Sequence, residues 1–283
     1  MSLARTSSLA PRPSGWAWAL TGACIGALMA LLMHWPAQWL GSSLSQFTKG
    51  QVQLQETQGS VWQGSAKLVL TGGEGSRDAM ALPGRIEWQL SFSPQGLGLP
   101  ILNLQLLAPC CMAQPARVQI NAQLGKATWH LKMNDHRSQW PAHLLSGLGA
   151  PWNTLQPEGN LNLVTEQLQL DVQPGQTVMQ GRMVLTAENM SSKLSTLRPM
   201  GTYQVSLGKL GHAGNDTAVA SPPALALSTL SGSLLLSGQG QWQSNRLQFR
   251  GEATAVPEHA AALSNLLNII GRRQGARSLL SLG

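Results

Sequence analysis

A chain of 283 residues with 43% hydrophobic content is long enough for one large or two modest folded units. Charged residues make up only 11%, well below the roughly 25% of typical soluble domains; Gln, Ser, Thr, Asn and Gly fill the deficit. The net charge of +7 is scattered apart from Arg272, Arg273 and Arg277, with no cationic stripe carrying interleaved aromatics, so a nucleic-acid surface is excluded.

Residues 1–15, with Arg5 and Arg12 and no acid, precede the stretch Trp16–Trp35, WAWALTGACIGALMALLMHW. That stretch holds no charge unless His34 is protonated. At 1.5 Å per residue it spans about 30 Å, the thickness of a hydrocarbon core. Trp16, Trp18, Trp35 and Trp39 bracket it as interfacial aromatics do. The positive-inside rule holds residues 1–15 in the cytoplasm and puts 36–283 on the far side of the inner membrane. A cleaved signal peptide would have a shorter apolar region ending in a small-x-small site. Bulky Leu31, Leu32, Met33, His34 and Trp35 instead follow Ala30, so a single uncleaved span is expected. Gly22 and Gly26 form a G-x-x-x-G pair, a candidate helix–helix contact for self-association.

Beyond Pro36, residues Pro36–Phe47 have helical spacing with proline in the first turn. Strict alternation then dominates, at 51–55, 85–90, 118–124, 160–163, 168–172, 203–207 and 246–250. A period of two places one side-chain set on each face, giving strands with one buried and one wet face. Parallel sheets covered on both sides would read as continuous apolar runs; the expected sheet is antiparallel. Gly84–Trp88, Gly125–Trp129 and Gly238–Trp242 share a G-x-x-x-W spacing, which predicts an indole covering a bare backbone patch on its own strand face.

Asn134–Arg137 reads as a polar turn, and Trp140-Pro141-Ala142-His143-Leu144-Leu145 repeats the W-P-A-x-x-L signature at 35–40. Each copy is followed by a glycine-led alternating strand, which predicts an internal duplication with halves of about 36–137 and 138–283. Gly211–Thr229 has turn formers and no periodicity, the pattern of an inserted loop. Pro257–Ile270 sets Leu263, Leu266, Leu267 and Ile270 on one stripe of a final amphipathic helix. The expected fold is mainly β: a membrane helix, then a large antiparallel, groove-like sheet with a few short helices.

Chemistry is sparse. No G-x-S-x-G elbow, Walker A loop, H-E-x-x-H or dinucleotide fingerprint occurs. The closest histidines, His130, His136 and His143, are spaced by six and seven residues, unlike the tight pairs of metal sites. No catalytic residue, cofactor or metal is expected. Cys110-Cys111 stands out, because Cys24 lies in the apolar stretch and leaves these two alone in an oxidising compartment. A vicinal bridge, a bridge to another chain and free thiols stay open. The vicinal bridge is expected despite the short Cα spacing.

The order and spacing of several segments resemble the type II secretion system protein N family (general secretion pathway). They are WPAQWL at 35–40, QVQLQ at 51–55, GSVWQG at 59–64 and PCC at 109–111. WPAHLL at 140–145, PEGNLNL at 157–163, GQWQSNRLQFRGEA at 240–253 and LLNIIGRR at 266–273 continue the series. The resemblance implies an accessory inner-membrane component of the machine that exports folded periplasmic proteins across the outer membrane of Gram-negative bacteria. Its implied partners are the inner-membrane platform proteins or the secretin, and it carries over no catalytic residues. Long alternating sheets behind an anchor also resemble AsmA-like proteins of envelope maintenance and periplasmic lipid handling. A continuous groove lined by Leu, Val and Trp would favour that alternative.

Overall fold

The computed structural model describes residues 16–94, 100–123, 128–173, 176–208, 224–243 and 246–282. Two helices come first, α1 (Trp16–Met33) and α2 (Gln38–Phe47). Eight strands follow: β1 (Val52–Gly59), β2 (Gln63–Thr71), β3 (Ala79–Ala81), β4 (Ile86–Ser93), β5 (Ile101–Leu107), β6 (Ala116–Gln123), β7 (Thr128–Met133) and β8 (His136–Pro141). A 3-10 helix over Ala142–Leu148 and the short α3 (Trp152–Leu155) lead into the long strands β9 (Pro157–Gln173) and β10 (Gln176–Ser192). The chain continues through β11 (Gly201–Gly208), β12 (Ala224–Gly232), β13 (Leu234–Gln243) and β14 (Arg246–Ala255), and closes with α4 (Ala260–Ile270), β15 (Arg272–Gln274) and β16 (Arg277–Leu282).

All strands join one antiparallel 16-stranded sheet, ordered β1-β2-β4-β5-β6-β7-β9-β10-β11-β12-β13-β14-β16-β15, with β3 beside β2 and β8 beside β9. The β7–β9 pairing, Trp129↔Val172 to Lys132↔Gln169, carries the sheet without a break from its first half into its second. Position 137/138 lies inside β8, which pairs with β9.

Each alternating stretch falls on a strand, except that Gln51 and Arg85 precede β1 and β4 and Leu124 lies outside the described residues. Four expectations need correction. Stretches 160–163 and 168–172 belong to one strand, β9, because Gln167 (φ 48°) sits at a bulge opposite β10. A bulge adds one residue and shifts the alternation by a phase. The polar turn expected over 134–137 is shorter, since His136 and Arg137 already pair with Thr165 and Val164. The second W-P-A copy ends a strand and starts a 3-10 helix only at Ala142. Residues 224–229 of the expected loop are strand β12; the rest of that loop, to 223, lies outside the described residues.

The helices roof one face of the sheet. α2 lies on β1, where a Cβ at Gly41 would come within 3.2 Å of the Leu54 carbonyl oxygen. The 3-10 helix buries Ala142 in the second-half core, with Leu161, Met190, Tyr203 and Leu234. It buries Leu144 in the first-half core, with Leu82, Ile86, Met112 and Ala116. α4 presents Leu263, Leu266 and Leu267 to the second-half core. Ser278 Oγ donates to Leu267 O (2.5 Å) and Ser195 Oγ to Ala262 O (3.3 Å), pinning α4 at both sides. Each fully buried leucine contributes about 1.5–3 kcal/mol.

The expected G-x-x-x-W coverings do not form: a Cβ at Gly84 would meet nothing within 4 Å, one at Gly238 would meet Phe249, and Gly125 lies outside the described residues. Trp88 covers Gly64, its register partner on β2, and a Cβ at Gly64 would lie 2.5 Å from Trp88 Cζ2. Residues four apart on one strand are about 13 Å apart, whereas directly opposed residues are about 5 Å apart. The bare patch that Trp88 covers therefore lies across the ladder, not along it.

Taken over the described residues, no helix is long and apolar enough to cross a membrane. α1 has 18 residues with exposed apolar side chains, and a Cβ at Gly22 or Gly26 would meet nothing within 4 Å.

Candidate interaction surfaces

The turn GSVWQG (59–64) joins α1 to the sheet. Val61 N–H donates to Trp35 O (2.8 Å), and Trp62 Nε1 donates to Leu32 O (2.7 Å). The Trp62 ring lies 5.4 Å from that of Phe92 on β4. Trp88 Nε1, from beneath, donates to the carbonyls of Ser60 (3.3 Å) and Val61 (3.2 Å). One buried indole thus braces the turn that holds the helix.

Cys110 and Cys111 are joined by a disulfide across a Cα–Cα distance of 3.8 Å. Cys111 and Met112 N–H both donate to Ala108 O (2.9 and 2.8 Å), forming a tight turn after Pro109. Cys111 is buried in the first-half core, whereas Cys110 is exposed. Gln139 N–H donates to Cys111 O (2.8 Å), and Met112 bridges Ser138, so the turn acts as a short sheet neighbour of β8.

Beside this turn a cleft of about 790 Å³ opens where β9 exchanges β7 for β8 as its neighbour. Asp135 Oδ1 accepts from Gln167 N–H (2.6 Å), and Arg182 pairs with Glu166 at 2.8 Å in solvent. His136 borders the cleft, buried, with Nε2 lacking a partner, and burial lowers its pKa. His130 meets Asp171 Oδ1 at 2.5 Å from neighbouring strands, and His143 is exposed on the 3-10 helix. The three histidines do not converge, and among the described residues no three His, Cys, Asp or Glu side chains are grouped to hold a metal. On the sheet's first edge Lys67 donates to Glu56 (2.7 Å), which holds the Glu56 carboxyl below its ordinary range; Arg85 adds to the effect. Tyr203, buried in the second-half core without a hydroxyl partner, has its phenol pushed well up by desolvation.

The two faces differ sharply. In register across β4, β5, β6, β7, β9 and β10 run Phe92, Leu102, Ile120, Leu131, Leu170 and Met179. Next to this row run Leu90, Leu104 and Val118 on one side and Ala122, Trp129 and Val172 on the other. The reverse face carries Ser91, Asn103, Gln119, Lys132 and Gln169 in register. The apolar rows continue the face that bears Trp88, Leu106 and Ala116 under the helices, but they extend past the roof: Phe92 is 55% and Trp129 51% exposed. One strand of it, Ile101–Leu107 (ILNLQLL), carries the alternation of leucine with Asn and Gln that belongs to such a two-faced sheet.

A continuous sheet with one largely polar face and one partly roofed apolar face makes this a β-sheet protein. The profile of type II secretion system (T2SS) protein N matches residues 50–279, and the chain belongs to that family. No curated protein and no solved structure matches it.

Proposed function

We propose that this chain is a non-catalytic accessory component of the type II secretion apparatus, acting by protein–protein contact in the export of folded proteins. α1 holds it in the inner membrane, residues 1–15 are cytoplasmic, and the sheet lies in the periplasm. The observation that carries the reading is the family match over nearly all of the sheet, residues 50–279. The geometry favours contact over chemistry, since the carboxylates are taken up in solvent-exposed ion pairs across strands. The polar face and the outer strands β1 and β15 offer edges to which platform proteins or the secretin can add a strand.

For the anchor, α1 supplies about 27 Å of helix, and His34 N–H donating to Ala30 O (3.0 Å) carries the ladder one residue further. Eighteen residues fall within the range for a crossing, and a bilayer accommodates a shortfall of a few ångströms by thinning or by interfacial anchoring. Trp16, Trp18, Trp35 and Trp39 are all exposed at its ends, where such anchors belong.

In-membrane crosslinking from polar-face positions Asn103, Gln119 and Gln169 tests the reading. Adducts with other secretion components are expected; adducts only with unrelated proteins would overturn it.

A further inference from the structure

We propose that the unroofed apolar rows running from β4 to β9 form a site for a phospholipid acyl chain, entered from the membrane end of α1. The proposal rests on the anchored reading above and goes beyond it.

Three observations carry it. First, the row from Phe92 through Leu102, Ile120, Leu131 and Leu170 to Met179 contains no polar or charged side chain. Strand neighbours are spaced by about 4.8 Å, so the four intervals from Phe92 to Leu170 give an apolar track of about 19 Å, closed at its far end by the buried Met179. One leaflet of a hydrocarbon core is about 15 Å deep, so the track accommodates a full acyl chain lying across the strands. Second, among the described residues no helix packs on the track from Phe92 to Leu170: its side chains are absent from the three packed cores, and Phe92 and the adjacent Trp129 stay half exposed. An uncovered apolar face of this length costs about 25 cal/mol per Å² in water. Third, the track starts at the anchor. Phe92 packs on Trp62, whose indole N–H is bonded to the last turn of α1, so an apolar path leads from the exposed helix surface onto the sheet. A protein strand is a poorer occupant, because the face of a sheet offers no backbone donors or acceptors and β4, β5, β6 and β7 are already paired on both edges.

The site binds acyl chains by burial alone, so it selects for chain chemistry and leaves the headgroup in water beyond the sheet.

The test uses the full chain in its native membrane with radiolabelled phospholipid. A photoreactive benzoylphenylalanine replaces Leu102, Leu131 or Leu170 in turn, and Asn103, Lys132 or Gln169 as controls on the opposite face. Phospholipid adducts from the apolar positions are expected to exceed those from the polar ones by about tenfold or more, a ratio equivalent to ~1.4 kcal/mol. Ile120→Glu should suppress labelling at Leu131 by a similar factor, because a carboxylate does not tolerate an acyl chain against it. Adducts only with another protein, only with a second copy, or equal lipid labelling from both faces would overturn the proposal. Carbonate extraction of the same membranes separates the two readings. A chain released by carbonate refutes the anchor, whereas a retained chain with no lipid adduct refutes the acyl-chain site alone.

Discussion

Trp88 is the side chain on which the junction between helix and sheet most depends. It is 5% exposed, sits over Gly64, and shares its indole N–H between the carbonyls of Ser60 and Val61. Trp88→Ala removes the ring and leaves a cavity beneath the turn. Truncations of this kind cost about 3–5 kcal/mol, which for a chain of this size lowers the melting temperature by about 6–20 °C. Trp88→Phe keeps most of the apolar contact and loses the donor, for about 1 kcal/mol from the hydrogen bond. The assay is thermal unfolding of the full chain in detergent, followed by circular dichroism at a sheet wavelength, with limited proteolysis at the 59–64 turn. Trp88→Ala should both melt early and expose that turn, and Trp88→Phe should do so mildly. A Trp88→Ala melting temperature within about 2 °C of the parent, less than 1 kcal/mol on that scale, would refute the bracing role.

Four further outcomes are expected. Leu263→Ala, at the fully buried centre of α4, should cost about 2–5 kcal/mol and release the helix to proteolysis; an unchanged melting curve would show that α4 does not seal the second-half core. Lys67→Ala should change stability by less than about 1 kcal/mol, because its bond to Glu56 is exposed; a larger loss would mean the pair is screened less than its exposure implies. Burial lowers the pKa of His136 in the folded state, so the unfolded chain binds more protons and stability falls on acidification through the unfolded value, about 6.5, toward the lowered folded one. His136→Phe should flatten the slope of stability between about pH 7 and pH 5 relative to the parent, and equal slopes would remove His136 from the titration. Alkylation of the denatured, unreduced chain should label Cys24 alone, with Cys110 and Cys111 labelled only after reduction; three labelled thiols without reductant would exclude the bridge.

The legible parts of the fold were those whose periodicity a single environment controls. α4 shows a clean stripe because one side meets the core and the other meets water. The alternating strands likewise have one wet face. β2 escaped notice because Leu68, Val69 and Leu70 are apolar in succession: Val69 is buried on one face, while Leu68 and Leu70 pack on the first-half core from the other. In the sequence β9 looks like two strands because the Gln167 bulge slips the phase. β12 was hidden behind Pro222 and Pro223, whose breaker signal masks the alternation of Leu225 and Leu227. Among the surfaces, Cys110 and Cys111 announced themselves by adjacency. The apolar track did not, because its members come from five strands, and only the register of the ladder places Phe92 in line with Leu170. His136 gave no signal either, since a lone histidine beside Asp135 and Arg137 looks like a turn until β8 is paired.

Secretion itself provides the decisive measurement. In a strain lacking this chain, the export substrates of the apparatus should accumulate in the periplasm. The full chain should restore their release, whereas a chain without residues 1–33, sent to the periplasm by a cleavable signal, should restore it poorly. Undiminished export in the deletion strain, or full rescue by the unanchored chain, would contradict a membrane-held scaffold of the secretion machine.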